Sequence, residues 1–156
     1  MILRGLTLWR PWAASIVHGP KRIENRPWCP PLALLREELW IAIHAGRKWD
    51  PAGAQFVRRE WPASGITAWE REHDCPRRMR EEGIVGVARV VRAVRVAGFD
   101  ESLDGAGQKP WAFGPWCWVL GDVKALEQPI PVAGHQQLWA LPLEIQAALE
   151  PLCVPA

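Results

Sequence analysis

The stretch from Leu6 to Trp28, LTLWRPWAASIVHGPKRIENRPW, constrains this chain more than any other. Ile2 to Leu8 is a short apolar run with Thr7 included, as in a buried strand. Pro11 then opens a helix, because a proline in the first turn lacks only an N–H that has no partner there. Trp12, Ala13, Ile16 and Val17 share one face of that helix at 3.6-residue spacing. Gly19 is placed to end it in the left-handed conformation that side chains resist, and Pro20 stops it from resuming. The chain must turn before Lys21, and Lys21, Arg22, Glu24 and Arg26 then crowd into six residues.

The rest of the 156 residues fits one domain over 1–156. With 49% hydrophobic residues the chain is near the commonest domain size and able to bury roughly two-thirds of its unfolded surface. Net charge is only +2, yet the cations are 15 Arg against 4 Lys, and Arg is the better residue for bidentate phosphate and base contacts. Eleven Trp without a Tyr predict rings mostly in the core, with one or two left for a cleft. Arg4, Arg10 and Pro11 interrupt any signal-like apolar segment, and no run approaches ~18 apolar residues, so no membrane association is expected. Cys29, Cys75, Cys117 and Cys153 contain no C-x-x-C and are expected as reduced thiols in a cytoplasmic protein. A zinc site from His73 and Cys75 has little support from spacing, so neither metal nor cofactor is expected.

In chain order, Leu32–Glu38 predicts a short linking helix and Leu39–Ala45 a central strand, with His44 read as a satisfied core histidine. Asp50 before Pro51 is an N-cap and first-turn pair for a helix to about Trp61. A charged helical insertion is expected around 64–83, where Arg77, Arg78 and Arg80 read as a solvated face balanced by Glu70, Glu72, Glu81 and Glu82. Ile84–Gly98 predicts a long strand, with Arg89 and Arg95 on one face and Arg92 opposed unless a bulge intervenes. Residues 99–115 read as a loop in which Trp111 and Phe113 either stack on a base or staple the loop to the core. Trp116–Leu120 and Val123–Pro131 read as two strands; Gly134–Leu141 returns to the sheet, and a short terminal helix includes Ile145–Leu149.

Strand, Pro-Trp helix and Gly19-x-Lys21-x-x-Glu24-x-Arg26, flanked by Leu8, Pro11, Trp12 and Trp28, resemble the signature of the ASCH family, a branch of the PUA-like superfamily. Trp40–Gly46, IVGVARVV from Ile84, Phe113–Leu120, Pro129-Ile130-Pro131 and Leu138-Trp139 follow in the order ASCH proteins show, so the resemblance covers about the whole chain. It implies an α+β fold: a small mixed β-barrel of about five to six strands with helices packed outside. It also implies a cleft between barrel and first helix, lined by the motif lysine and the residue three positions on. Some members bind RNA or DNA there and others resemble nucleases. A bacterial group hydrolyses N4-acetylcytidine with Lys and Thr from the motif and a Glu from elsewhere. Lys21 matches that Lys, but Glu24 stands at the Thr position, which removes a hydroxyl nucleophile.

The expected function is therefore binding of RNA, another single-stranded nucleic acid or a nucleoside. Lys21, Glu24, Arg26, Arg10, Trp12, Lys109 and Trp111 are the expected ligand-binding residues. The alternative is a ribonuclease or an amidohydrolase of N4-acylated cytidines, with Lys21 and Glu24 as an acid–base pair and a third group sought among Asp100, Glu101 and Asp104. Arg22 is read as structural. Strict alternation would put Lys21 and Glu24 on opposite strand faces, so the two meet only if Lys21 still belongs to the turn or a bulge shifts the register. The pair is then expected in a concave pocket walled by helix 11–18 and overhung by loop 104–115. Lys21, at a turn, is expected to be exposed.

Overall fold

A computed structural model describes residues 1–66 and 72–156. Six strands are described: β1 Ile2–Arg10, β2 Ile23–Arg26, β3 Leu39–Trp49, β4 Gly83–Arg95, β5 Trp116–Ile130 and β6 Leu138–Trp139. With them go the α-helices α1 Trp12–Val17, α2 Leu32–Arg36, α3 Pro51–Glu60, α4 Arg77–Arg80, α5 Glu101–Asp104 and α6 Leu143–Leu149. The fold is α+β. The sheet is mixed, in the order β2-β5-β4-β3-β1-β6, with β1 parallel to β3 and every other neighbour antiparallel.

The sheet is not closed into a barrel by hydrogen bonds, since β2 and β6 end the order. It nevertheless curls. Arg26 of β2 donates through Nη2 to the Thr7 carbonyl of β1 at 3.0 Å, so a side chain spans the seam where two ladder edges approach. β6 covers β1 only at Gly5 and Leu6, which leaves Thr7 to Arg10 facing β2 across that seam.

Strand β3 explains its own unbroken apolar run. Leu39, Ile41 and Ile43 pack with Leu6, Ile16 and Trp118 on one side, while Trp40 and Ala42 pack with Leu3, Val87 and Trp139 on the other. A strand buried on both faces has no polar side to alternate with. His44 near its end is buried, and its Nε2 lies 2.9 Å from the Val132 carbonyl.

Several local expectations change. Gly19 does not have a positive φ. Its small size serves a close approach instead: a β-carbon there would meet the Trp61 ring at 2.6 Å and the Ser15 carbonyl at 2.7 Å. The two strands read at 116–120 and 123–131 are one, because Asp122 turns at φ 49 within a register shift and is held by the Arg89 guanidinium at 2.6 Å. A bulge does interrupt β4 between Val90 and Arg92, and Arg92 reaches Asp104 at 3.2 Å. Within the 99–115 stretch, Asp100 caps α5 by accepting the Ser102 N–H at 2.9 Å. Of the helices read in 64–83, α4 and the 3₁₀ turns 62–64 and 72–74 are described; the rest of that reading falls on 67–71, outside the described residues. Asp50 caps α3 as its sequence predicts, accepting the Gly53 N–H at 2.9 Å.

Candidate functional site

The seam between β1 and β2 opens into a cavity of about 290 Å³. β1 contributes Thr7, Leu8 and Trp9, α1 contributes Trp12, the turn contributes Lys21, and β2 contributes Glu24, Asn25 and Arg26. Phe113 closes the side nearest the segment before β5.

The floor is a line of charge out of water. Lys21 precedes β2, so strand alternation does not govern it, and its Nζ lies 3.0 Å from Glu24 Oε2 and also donates to the Ile23 carbonyl. The other oxygen, Glu24 Oε1, lies 3.0 Å from Arg26 Nε. Lys21 is 2% exposed and Glu24 6%, which overturns the expectation of an exposed turn lysine. Burial lowers the Lys21 pKa, against the pull of the Glu24 carboxylate. Desolvation prevails because the ammonium is enclosed beneath the Trp12 ring and against β2.

The walls are aromatic. The Trp12 ring lies 5.7 Å from Lys21 Nζ and is held by an indole N–H to Asp50 Oδ2 at 2.8 Å. Phe113 meets Trp12 edge-on at 6.1 Å and is 49% exposed. Trp9 is 48% exposed and carries Lys48 Nζ at 3.4 Å from its ring centre.

The segment bearing Phe113 is held down by β2 and the turn before it. Asn25 Nδ2 donates to the Trp111 carbonyl at 2.9 Å, and its Oδ1 accepts from Phe113 and Gly114 N–H at 2.8 and 2.9 Å. Gln108 completes the clamp, accepting from Arg22 N–H at 2.7 Å and donating to the Pro20 carbonyl at 3.0 Å. Arg22 itself faces α1: its guanidinium donates to the carbonyls of Ile16, Gly19 and Lys21, satisfying groups that a helix end leaves open.

Of the residues expected to bind, Lys21, Glu24, Arg26 and Trp12 border this cavity; Arg10, Lys109 and Trp111 do not. Arg10 is buried and ties β1 to Glu72 at 2.6 Å, to the Arg80 carbonyl at 2.7 Å and to the Arg47 carbonyl. Lys109 lies over Phe99. Trp111 is 3% exposed and packs edge-on against Phe56 at 5.4 Å, so of the two loop aromatics it is the staple. Asp100, Glu101 and Asp104 do not border the cavity either; Asp104 accepts the Asp100 N–H at 2.9 Å. Sequence reasoning passed over Trp9, Thr7, Asn25 and Gln108. Trp9 was legible in principle, because alternation from Leu6 and Leu8 turns it outward. The partners of Asn25 and Gln108, more than 80 residues away, leave no local signal. Among the described residues no three His, Cys, Asp or Glu side chains gather as metal ligands.

The sequence profile of the ASCH domain matches residues 6–130, which include every residue bordering the cavity. Human activating signal cointegrator 1 is similar, 24% identical over 140 residues. That match takes in 90% of this chain and 22% of the human protein, so the chain spans about a fifth of that relative's length.

Proposed function

The chain belongs to the ASCH domain family, and we propose that its seam cavity binds single-stranded nucleic acid, preferentially RNA, by accepting one unpaired base. The observation that carries this reading is the buried Lys21–Glu24 pair, extended by the partly exposed Arg26, beneath exposed rings of Phe113 and Trp9. Aromatic faces take any base by stacking, while Glu24 accepts from an exocyclic amine and the cations donate to ring acceptors or phosphate. The volume, about 290 Å³, lies at the small end of ligand cavities and suits a base rather than a whole nucleotide.

The test is fluorescence anisotropy with short single-stranded RNA and DNA across a salt series. Two phosphate contacts predict a log–log slope of about −1.4 for a single strand. Phe113→Ala should weaken binding by about tenfold at an unchanged melting temperature, since stacking is worth roughly 1–3 kcal/mol per base. Affinity insensitive to both salt and Phe113 would sink the reading.

A second reading, hydrolysis of RNA or of an N4-acylated cytidine, is supported by one observation. A lysine whose pKa is lowered by burial, 3.0 Å from a carboxylate, is placed to exchange a proton with it. Liquid chromatography of modified nucleosides and short RNAs incubated with the protein separates the two readings. Product formation favours hydrolysis, and retention without turnover favours binding.

A further inference from the structure

A second and larger cavity, about 690 Å³, lies on the other side of Thr7, which borders both. The two therefore adjoin at the β1 edge. The larger one is walled by the end of β3 (His44 to Arg47), by Glu82 and Gly83, and by a strap of residues 131–134. Two polar atoms at its base have no partner: His44 Nδ1, on a residue only 5% exposed, and Thr7 Oγ1. Their side chains are neighbours because Thr7 and His44 pair across the parallel β1–β3 ladder.

Unsatisfied buried polar atoms are few in folded proteins, and each calls for an explanation. Here the strap crosses them with its least bulky residue. A β-carbon on Gly134 would meet His44 Cε1 at 2.5 Å and Thr7 Oγ1 at 2.6 Å. The rim beside the junction is cationic: the Arg47 side chain is 95% exposed, and Lys48 lies over Trp9, which borders the seam cavity. The carboxylate at this rim, Glu82, is balanced by Arg10 at 3.6 Å and Arg47 at 3.8 Å.

We infer that the larger cavity is a second nucleotide subsite, which takes the nucleoside adjoining the one whose base occupies the seam cavity. The linking phosphate passes Thr7 within reach of Arg47 and Lys48, and the nucleoside lies between the strap and the end of β3. This assignment rests on the base-binding reading above. A ligand in the first cavity alone uses neither His44 nor Arg47.

The test is calorimetric titration of the full chain with the four ribonucleoside 5′-monophosphates and the corresponding dinucleoside monophosphates. Dinucleotides should bind about tenfold tighter than mononucleotides, the effect of one further well-placed contact. Arg47→Ala, at an exposed side chain, should remove about threefold of that gain, and Gly134→Val should remove most of it, because its side chain would clash with His44 and Thr7 and displace the strap that walls the cavity. Mononucleotide affinity should not change in either variant. Mononucleotides bound as tightly as dinucleotides, or equal losses for both ligands in the variants, would overturn the second subsite and leave the first. Absence of binding by mononucleotides, dinucleotides and short RNA alike would overturn the base-binding reading and this assignment with it.

Discussion

The side-chain oxygen of Asn25 accepts the backbone N–H of Phe113 at 2.8 Å, and this bond sets where the exposed aromatic wall of the cleft stands. Asn25 lies between the two charged residues of β2 that border the cavity floor, Glu24 and Arg26, so one short strand supplies both the charge and the anchor for the ring above it.

Asn25→Ala removes one donor and one acceptor that together serve Trp111, Phe113 and Gly114. At about 1 kcal/mol net per hydrogen bond, stability should fall by about 2–3 kcal/mol in urea unfolding. Amide exchange at Phe113 and Gly114 should accelerate more than exchange in β3. Uniform acceleration across the chain would mean that Asn25 supports the whole fold rather than this segment.

Lys21→Ala should destabilise by about 3 kcal/mol, at the low end for breaking a buried ion pair, because Glu24 loses one of its two cations and keeps only Arg26. Lys21→Met keeps the aliphatic volume against Trp12 and should cost less. Both should lose RNA affinity. A variant with wild-type melting temperature and wild-type affinity would remove Lys21 from both structure and site.

The pH dependence follows from the lowered Lys21 pKa. Between that lowered value and the ordinary lysine value of 10.5, the unfolded chain holds a proton that the native lysine has released. Stability therefore rises with pH across this window, and below it the fold carries the full penalty of a dry ammonium. The stability of the wild type minus that of Lys21→Met should accordingly climb on approaching pH 10.5. A flat or falling difference would contradict the assigned direction.

Thiol chemistry offers a further check on packing. Burial pushes the Cys153 thiol up to about 11 and also raises Cys117, and neither is in a disulfide. At pH 8 about one Cys153 in a thousand is thiolate, so alkylation of the native protein should begin at Cys29, which is partly exposed. Mass-spectrometric mapping that finds Cys153 or Cys117 modified first would show that the core around them opens readily.

Local patterns in the chain determined β1, the Pro-opened α1, the Asp50 cap of α3, the doubly buried β3 and the end of the helix near Gly19. Each depends on side chains within about one turn or one strand of each other, where propensity and periodicity act. Beyond that range the signal failed in identifiable ways. Gly121-Asp122 reads as a break, yet β5 continues because Arg89, 33 residues away, holds Asp122 in the bent conformation. Arg10 is expected among the ligand-binding residues, yet Glu72 and the carbonyls of Arg47 and Arg80 draw it inward. Lys21 reads as an exposed turn lysine, yet it is among the most buried side chains of the molecule. Tertiary structure alone decided these outcomes. Burial and the partner of a charge depend on which distant segments close over it, and the curl that brings β2 against β1 is assembled from ladders between strands far apart in the chain.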